Sequence, residues 1–392
     1  MSKKILLATN KNRGADINTS AYSFANTDGI RNLHIDLDCY NMTPLVSLKN
    51  FAAANNVRAV LVKDESTRFG LKAFKGLGSI YAIYKVISRK LGLFNPPLKK
   101  LLSRRDEFKD MTFITTTDGN HGKGVSWAAN LFGCKSFVYM PKGTVEIRAQ
   151  AIRDAGNATV EITDLSYDDC VKFTAELAAK NHWYLIQDTS WRGYEEIPAQ
   201  IMLGYSTLAY EALWQMEYKC PTHIFLQAGV GSMAGAIAAV FCEVFRSNPP
   251  RITIVEPAEV ACFYESMKVG DGQMHSATGT CKTMMAGLNC ATPCEIAWYI
   301  LRRFATDAAA IDDEIAAEAM KQLANPIGDD EKIISGESGC AGFALANAAL
   351  KDEDLRRALE IDSDSVIFVV NTEGATDPDN YSKIVNGQTL RR

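Results

Sequence analysis

Short β-branched and aromatic runs alternate along the chain with longer stretches whose apolar positions recur every three or four residues. This is the pattern of βα units around a parallel sheet. Residues 111–116 and 135–140 predict strands, followed by helices over 122–132 and about 145–155. A strand at 159–162 and a helix over about 167–179 add a unit, which a strand over 182–186 closes. Further on, 222–227 is an apolar strand, a small-residue helix covers 234–245, and strands are expected at 251–255 and 365–370. Several strands end in polar or glycine-rich segments. In open parallel sheets ligands gather beyond such carboxyl ends, so these segments point to one cleft.

With 392 residues, 47% hydrophobic and 22% charged, the chain has the composition of a soluble globular protein of one large or two medium domains. A net charge of -4 with scattered Lys and Arg gives no footprint for nucleic acid. Only four apolar residues follow Lys3-Lys4, too few for a signal-peptide core, and no run approaches the ~20 apolar residues of a membrane span. Ten cysteines without a CxxC pair read as mostly reduced thiols in a cytoplasmic protein. Whether Cys262 and Cys290 pair stays open.

Four segments carry candidate chemistry. Lys75 sits between Phe74 and Gly76 at the start of a helical pattern, where Phe74 and Leu77 can desolvate an amine; a lysine there can equally face water. The run Thr115-Thr116-Thr117-Asp118-Gly119-Asn120-His121-Gly122 joins a strand to a helix, and its hydroxyls and N–H groups suit a substrate carboxylate. Its ordinary reading is an Asp N-cap after strand threonines, and His121 reads as structural, with nothing near it in sequence to pair with. Asp188 lies just past an apolar strand, either as an acid or as a turn former. Gly229-Val230-Gly231-Ser232-Met233 is a strand–turn–helix junction fit for a phosphate or simply for close helix packing. It lacks both the full GxGxxG fingerprint and the P-loop ending. No metal-ligand spacing is present.

Taken together, the AlaPheLys context, the ThrThrThrAspGlyAsnHisGly loop, the GlyValGlySerMet turn and the polar end of the last strand resemble fold type II enzymes that use pyridoxal 5'-phosphate. Lys63-Asp64-Glu65-Ser66 with Arg68-Phe69-Gly70-Leu71, the aspartate before GlyAsnHisGly, Gln187-Asp188-Thr189 with Trp191, Ile333-Ile334-Ser335-Gly336-Glu337-Ser338-Gly339, and Thr372-Glu373-Gly374 with Thr376-Asp377 narrow the resemblance to diaminopropionate ammonia-lyases. It runs in order from about Thr43 to Asp377.

The resemblance implies an α/β architecture of two three-layer α/β/α domains with mostly parallel sheets and the cofactor in the interdomain cleft. The expected boundaries are 1–84 with 222–392 for a discontinuous large domain and 85–221 for a small one. It further implies that Lys75 holds pyridoxal phosphate covalently beside Phe74. Asn120 would bond its phenolic oxygen, Gly229, Val230, Gly231, Ser232 and Met233 its phosphate, and Thr372, or Asn371, its ring nitrogen. Substrate contacts are expected from Thr116, Thr117, Asp118, Gly119 and Asp188, with Lys75, Asp118 and Asp188 catalytic. The implied reaction converts 2,3-diaminopropionate, L and D, to pyruvate and two ammonia in a homodimer. Ser232 and Cys340 depart from the family pattern. A serine or threonine dehydratase, expected to carry an uncharged residue at 118, is the nearer alternative, and a catalytically silent binding protein the farther one.

Overall fold

The computed structural model describes residues 4–14, 18–117 and 119–387. They form two compact units, one from 1–23, 42–67 and 208–392, the other from 24–41 and 68–207. The strands are β1 Ile5–Thr9, β2 Leu45–Ser47, β3 Ala59–Asp64, β4 Thr112–Thr116, β5 Lys135–Met140, β6 Thr159–Ile162, β7 Tyr184–Leu185, β8 His223–Gln227, β9 Arg251–Pro257, β10 Asp307–Ile311 and β11 Val366–Asn371.

The larger unit holds a seven-stranded sheet in the order β1-β10-β9-β8-β11-β3-β2. Its inner pairs are parallel, and the antiparallel pairs lie at the two edges, β1 on β10 and β2 on β3. The smaller unit holds four parallel strands in the order β6-β5-β4-β7. Every residue of β4, β8 and β10 is buried, as expected of parallel strands covered by helices on both faces. Among the described residues no helix is long and apolar enough to cross a membrane.

Most elements read from sequence appear within two residues of their expected ends. The strand expected at 182–186 shrinks to Tyr184–Leu185. Four others, β1, β2, β3 and β10, lie where the sequence reading gave no strand. Strand β10 is Asp-Ala-Ala-Ala-Ile, poor in β-formers, yet its alanines are fully buried. The short apolar run after Lys4 is the edge strand β1, paired with it.

The unit boundaries also fall elsewhere than residues 84 and 221. Position 84 lies inside the helix Gly76–Lys90, which belongs wholly to the smaller unit. The reason is backbone contact. A Cβ on Gly78 would stand 2.8 Å from Ile201 O, and one on Gly204 only 2.5 Å from Leu77 O. That crossing locks Gly76–Lys90 to the helix Glu196–Gln215, whose first part is in the same unit.

Candidate active site

Lys75 is the cap residue of the helix Gly76–Lys90, in right-handed helical conformation. Its main chain is gripped from a second side as well: a Cβ on Gly124, in the helix Asn120–Phe132, would come within 3.2 Å of the Lys75 carbonyl carbon. The peptide of Lys75 is therefore fixed by two helices before its side chain makes any contact.

The amine donates to Asp188 Oδ2 at 2.5 Å and lies 5.4 Å from the centre of the Phe74 ring. Phe74 in turn meets Tyr205 edge-on, with ring centres 4.8 Å apart. Burial works against ionising Asp188, but the neighbouring His121 and Lys75 outweigh it and hold the carboxyl down to about 2. Asp188 is thus a carboxylate throughout the working range.

His121, read from sequence as structural, has a neighbour that the sequence did not show. The fold carries it to Asp188, with Nδ1 3.8 Å from Oδ2, while Nε2 donates to Ile186 O at 2.7 Å. A carbonyl can only accept, so in the neutral ring Nδ1 is a bare acceptor, and it has no hydrogen-bond partner among the described residues. Burial, with the Lys75 charge assisting, pushes the imidazole pKa down, and Asp188 opposes this only in part.

The threonine loop divides its labour. Thr116 turns inward, its hydroxyl bonded to Thr174 Oγ1 at 2.7 Å and Cys170 O at 3.1 Å, and its N–H to Gln187 Oε1 at 3.0 Å. These bonds make Thr116 a packing residue rather than the substrate contact expected of it. Thr117 Oγ1 accepts from the N–H groups of Gly119 and Gly122, at 2.9 and 3.1 Å, and so caps the turn into the helix that Asn120 opens. Gly119 and Asn120 are half-buried there. Asp118 lies outside the described residues.

On the larger unit, β8 ends at Gln227 and the chain turns through Gly229–Gly231 into the helix Ser232–Val244. Gly231 caps that helix at φ +91°, and being glycine it brings no side-chain oxygen to the first turn. A Cβ there would strike Phe263 Cζ at 2.3 Å. Gln227 Nε2 lies 2.7 Å from Gly339 O, 2.9 Å from Val370 O and 3.2 Å from Thr372 Oγ1. Thr372 accepts this bond and keeps its own hydroxyl proton. Asn371, the alternative to it, spends its amide on Asp64 Oδ1 at 2.8 Å and Ile334 O at 3.1 Å.

Behind the turn, the buried Glu256 accepts from the N–H groups of Phe263 and Tyr264, each at 2.8 Å. Burial raises its pKa to about 8 despite those bonds. Cys262 and Cys290 are both buried free thiols.

The model of the family described as "Pyridoxal-phosphate dependent enzyme" matches residues 37–373. The chain belongs to this family of enzymes. Within it, the chain is 43% identical over 374 residues to the diaminopropionate ammonia-lyase of Salmonella typhimurium, covering 91% of each chain. It is 40% identical over 389 residues to that of Escherichia coli K12, covering 98% of this chain and 97% of the relative. The crystal structure of the Escherichia coli enzyme in complex with an aminoacrylate-PLP azomethine reaction intermediate superposes with a TM-score of 0.90 at 40% identity, over 98% of this chain and 97% of that one. The same enzyme in complex with D-serine gives 0.90 at 39% identity, with the same coverage.

The residues of this pyridoxal-phosphate dependent enzyme suit the cofactor. An amine stands beside a carboxylate that holds its position. The turn Gly229–Gly231 has room only for glycine at its cap and leads into a 13-residue helix, the arrangement that receives a phosphate. A neutral hydroxyl at Thr372 retains a proton to share. Sequence reasoning missed His121, Gln187 and Gln227. The signal was a polar residue directly at the end of an otherwise apolar strand, as at Gln227 after His223–Leu226.

Proposed function

We propose that this enzyme is a carbon–nitrogen lyase that takes the β-amino group from 2,3-diaminopropionate and, after one water hydrolyses the released enamine, yields pyruvate and two ammonia, acting on the L-isomer and on the D-isomer. The observation that carries the reading is the 2.5 Å contact between Lys75 Nζ and Oδ2 of the buried Asp188. A carboxylate in that place suits a substrate with a second ammonium, and the near-full-length likeness to diaminopropionate ammonia-lyases supports that choice of substrate.

Pyridoxal phosphate, when bound, supplies the electron sink that stabilises negative charge on the substrate α-carbon. Lys75 would hold it, with Asn120 at its phenolic oxygen, Gly229 to Met233 at its phosphate and Thr372 at its ring nitrogen. Thr117, Gly119 and Asp188 would meet the substrate.

Lys75, released from covalent duty, takes the α-proton of the L-isomer at Nζ. Asp188 Oδ2, already the acceptor of an Nζ–H, holds the resulting ammonium in place, and the same proton then serves the departing β-amine. Phe74, 5.4 Å from the amine and edge-on to Tyr205, gives that exchange an apolar flank. Asp118 is assigned attraction of the second ammonium and the opposite-face proton of the D-isomer, with Asp188 sharing both duties.

A cytoplasmic homodimer is part of the proposal. Ten free thiols suit a reducing compartment. Sedimentation equilibrium is expected to give twice the chain mass of 43.0 kDa. The test of function is release of pyruvate and ammonia from both diaminopropionate enantiomers, L-serine and L-threonine. Faster consumption of serine or threonine than of diaminopropionate would move the enzyme to the dehydratases.

A further inference from the structure

The Lys75 turn has a third restraint that its chemistry does not require. His34, on the helix Phe24–Ile35, is fully buried. Its Nε2 lies 3.0 Å from Leu77 O and its Nδ1 2.8 Å from Thr207 Oγ1. Leu77 O can only accept, so Nε2 carries the proton; in the neutral ring Nδ1 then accepts the Thr207 hydroxyl. The imidazole therefore bridges two helices. One carries Leu77, two residues after Lys75; the other carries Thr207, three residues after Gly204, which itself presses on Leu77 O and Gly78 Cα. Glycine crossings alone allow close approach but leave sliding along the contact unopposed. A directional hydrogen-bonded bridge across the same crossing opposes it. Phe69, with its ring centre 6.0 Å away, backs the imidazole.

We propose that His34, set in its tautomer by Leu77 O and held in its orientation by Thr207, is a positioning residue for Lys75: it fixes the first turn of the Gly76–Lys90 helix so that the amine stands at Asp188. This rests on the reading of Lys75 as the reactive lysine. A shift of the turn by a fraction of an ångström changes the lysine's approach to the reacting carbon far more than it changes substrate affinity.

The test uses the holoenzymes of His34→Leu, His34→Gln and Thr207→Val with the wild type. Borohydride reduction and peptide mapping of the wild type come first: label away from Lys75 overturns the functional reading itself and is distinct from any result on His34. With Lys75 labelled, His34→Leu is expected to lower kcat about tenfold with KM within about twofold, to slow borohydride trapping, and to shift the pH profile of the cofactor absorption band. His34→Gln, whose amide N–H can still donate to Leu77 O, should recover most of each loss. Should His34→Leu fail to fold, Thr207→Val decides: it removes the hydroxyl that orients the ring and is expected to lower kcat several-fold with the same spectral shift. Wild-type kcat, trapping rate and absorption profile in His34→Leu, or in Thr207→Val where His34→Leu does not fold, would overturn the proposal. So would a loss of thermal stability alone, or equal defects in His34→Leu and His34→Gln.

Discussion

Gly231→Ala tests the glycine turn where the structure leaves least room. Two effects add. The residue sits at φ +91°, in the left-handed region where an L side chain costs about 1–2 kcal/mol. The new methyl would also stand 2.3 Å from Phe263 Cζ, 2.8 Å from Phe263 Cε2 and 3.3 Å from Ala297 Cβ. Phe263 has nowhere to go: its ring is fully buried near Trp298, and its N–H is held by Glu256 at 2.8 Å. Overpacking of that kind costs about 1–3 kcal/mol. The total, about 2–5 kcal/mol, must be taken by the turn or by the helix Cys262–Val269. If the turn moves, the N–H groups at the start of Ser232–Val244 lose their aim, and cofactor affinity falls about 30-fold or more. Titration of apoenzyme with pyridoxal phosphate, followed by absorbance, gives that affinity, and a melting curve gives the other share. Wild-type values of both would refute the reasoning.

Asp188→Asn removes the partner of the Lys75 amine, and kcat on both enantiomers should fall about 10²–10⁴-fold, measured as pyruvate release. The same carboxylate has its pKa lowered from 3.8 to about 2, so it adds stability above pH 4 that is lost as pH falls through 2; the loss, up to about 2 kcal/mol, should vanish in the Asn variant on acid unfolding. Glu256 has the opposite sign. Its pKa is raised from 4.5 to about 8, so the folded state binds the extra proton between those values and stability declines as pH rises through them; relative to Glu256→Gln, urea midpoints should fall by the equivalent of up to about 5 kcal/mol. Gly204→Ala places a methyl against backbone, 2.5 Å from Leu77 O and 2.8 Å from Gly78 Cα, and should cost about 1–3 kcal/mol in stability together with kcat, whereas Gly143→Ala, where a Cβ meets nothing within 4 Å, should pay only for its backbone at φ +88°.

The parallel βα succession was legible because buried strands such as β8 and β11 are unbroken apolar runs closed by polar residues. Strand β10 was not, since alanine carries a helical preference and only its place between β1 and β9 makes it extended. Lys75, Asp188 and the glycine turn were readable because each lies where a strand or helix begins or ends. The closeness of His121 to Asp188 was not legible for a long-range reason: the two are 67 positions apart, joined only because β4 and β7 pair in register. Thr116 was misread because alternation tells which positions point out of a strand, not whether a helix such as Tyr167–Asn181 covers that face.

The place of β11 in the larger sheet also bears on how the protein is made. It is the last strand in the chain, yet it lies between β8 and β3 and joins one side of the sheet to the other. On a ribosome adding roughly 5–20 residues per second, β3 would wait some 15–60 s for that neighbour. Throughout that delay one edge of β3 stays open to wrong partners. The segment 68–207 is complete well before then and can fold first, which makes the nascent larger unit, rather than the smaller one, the expected client of chaperones during synthesis.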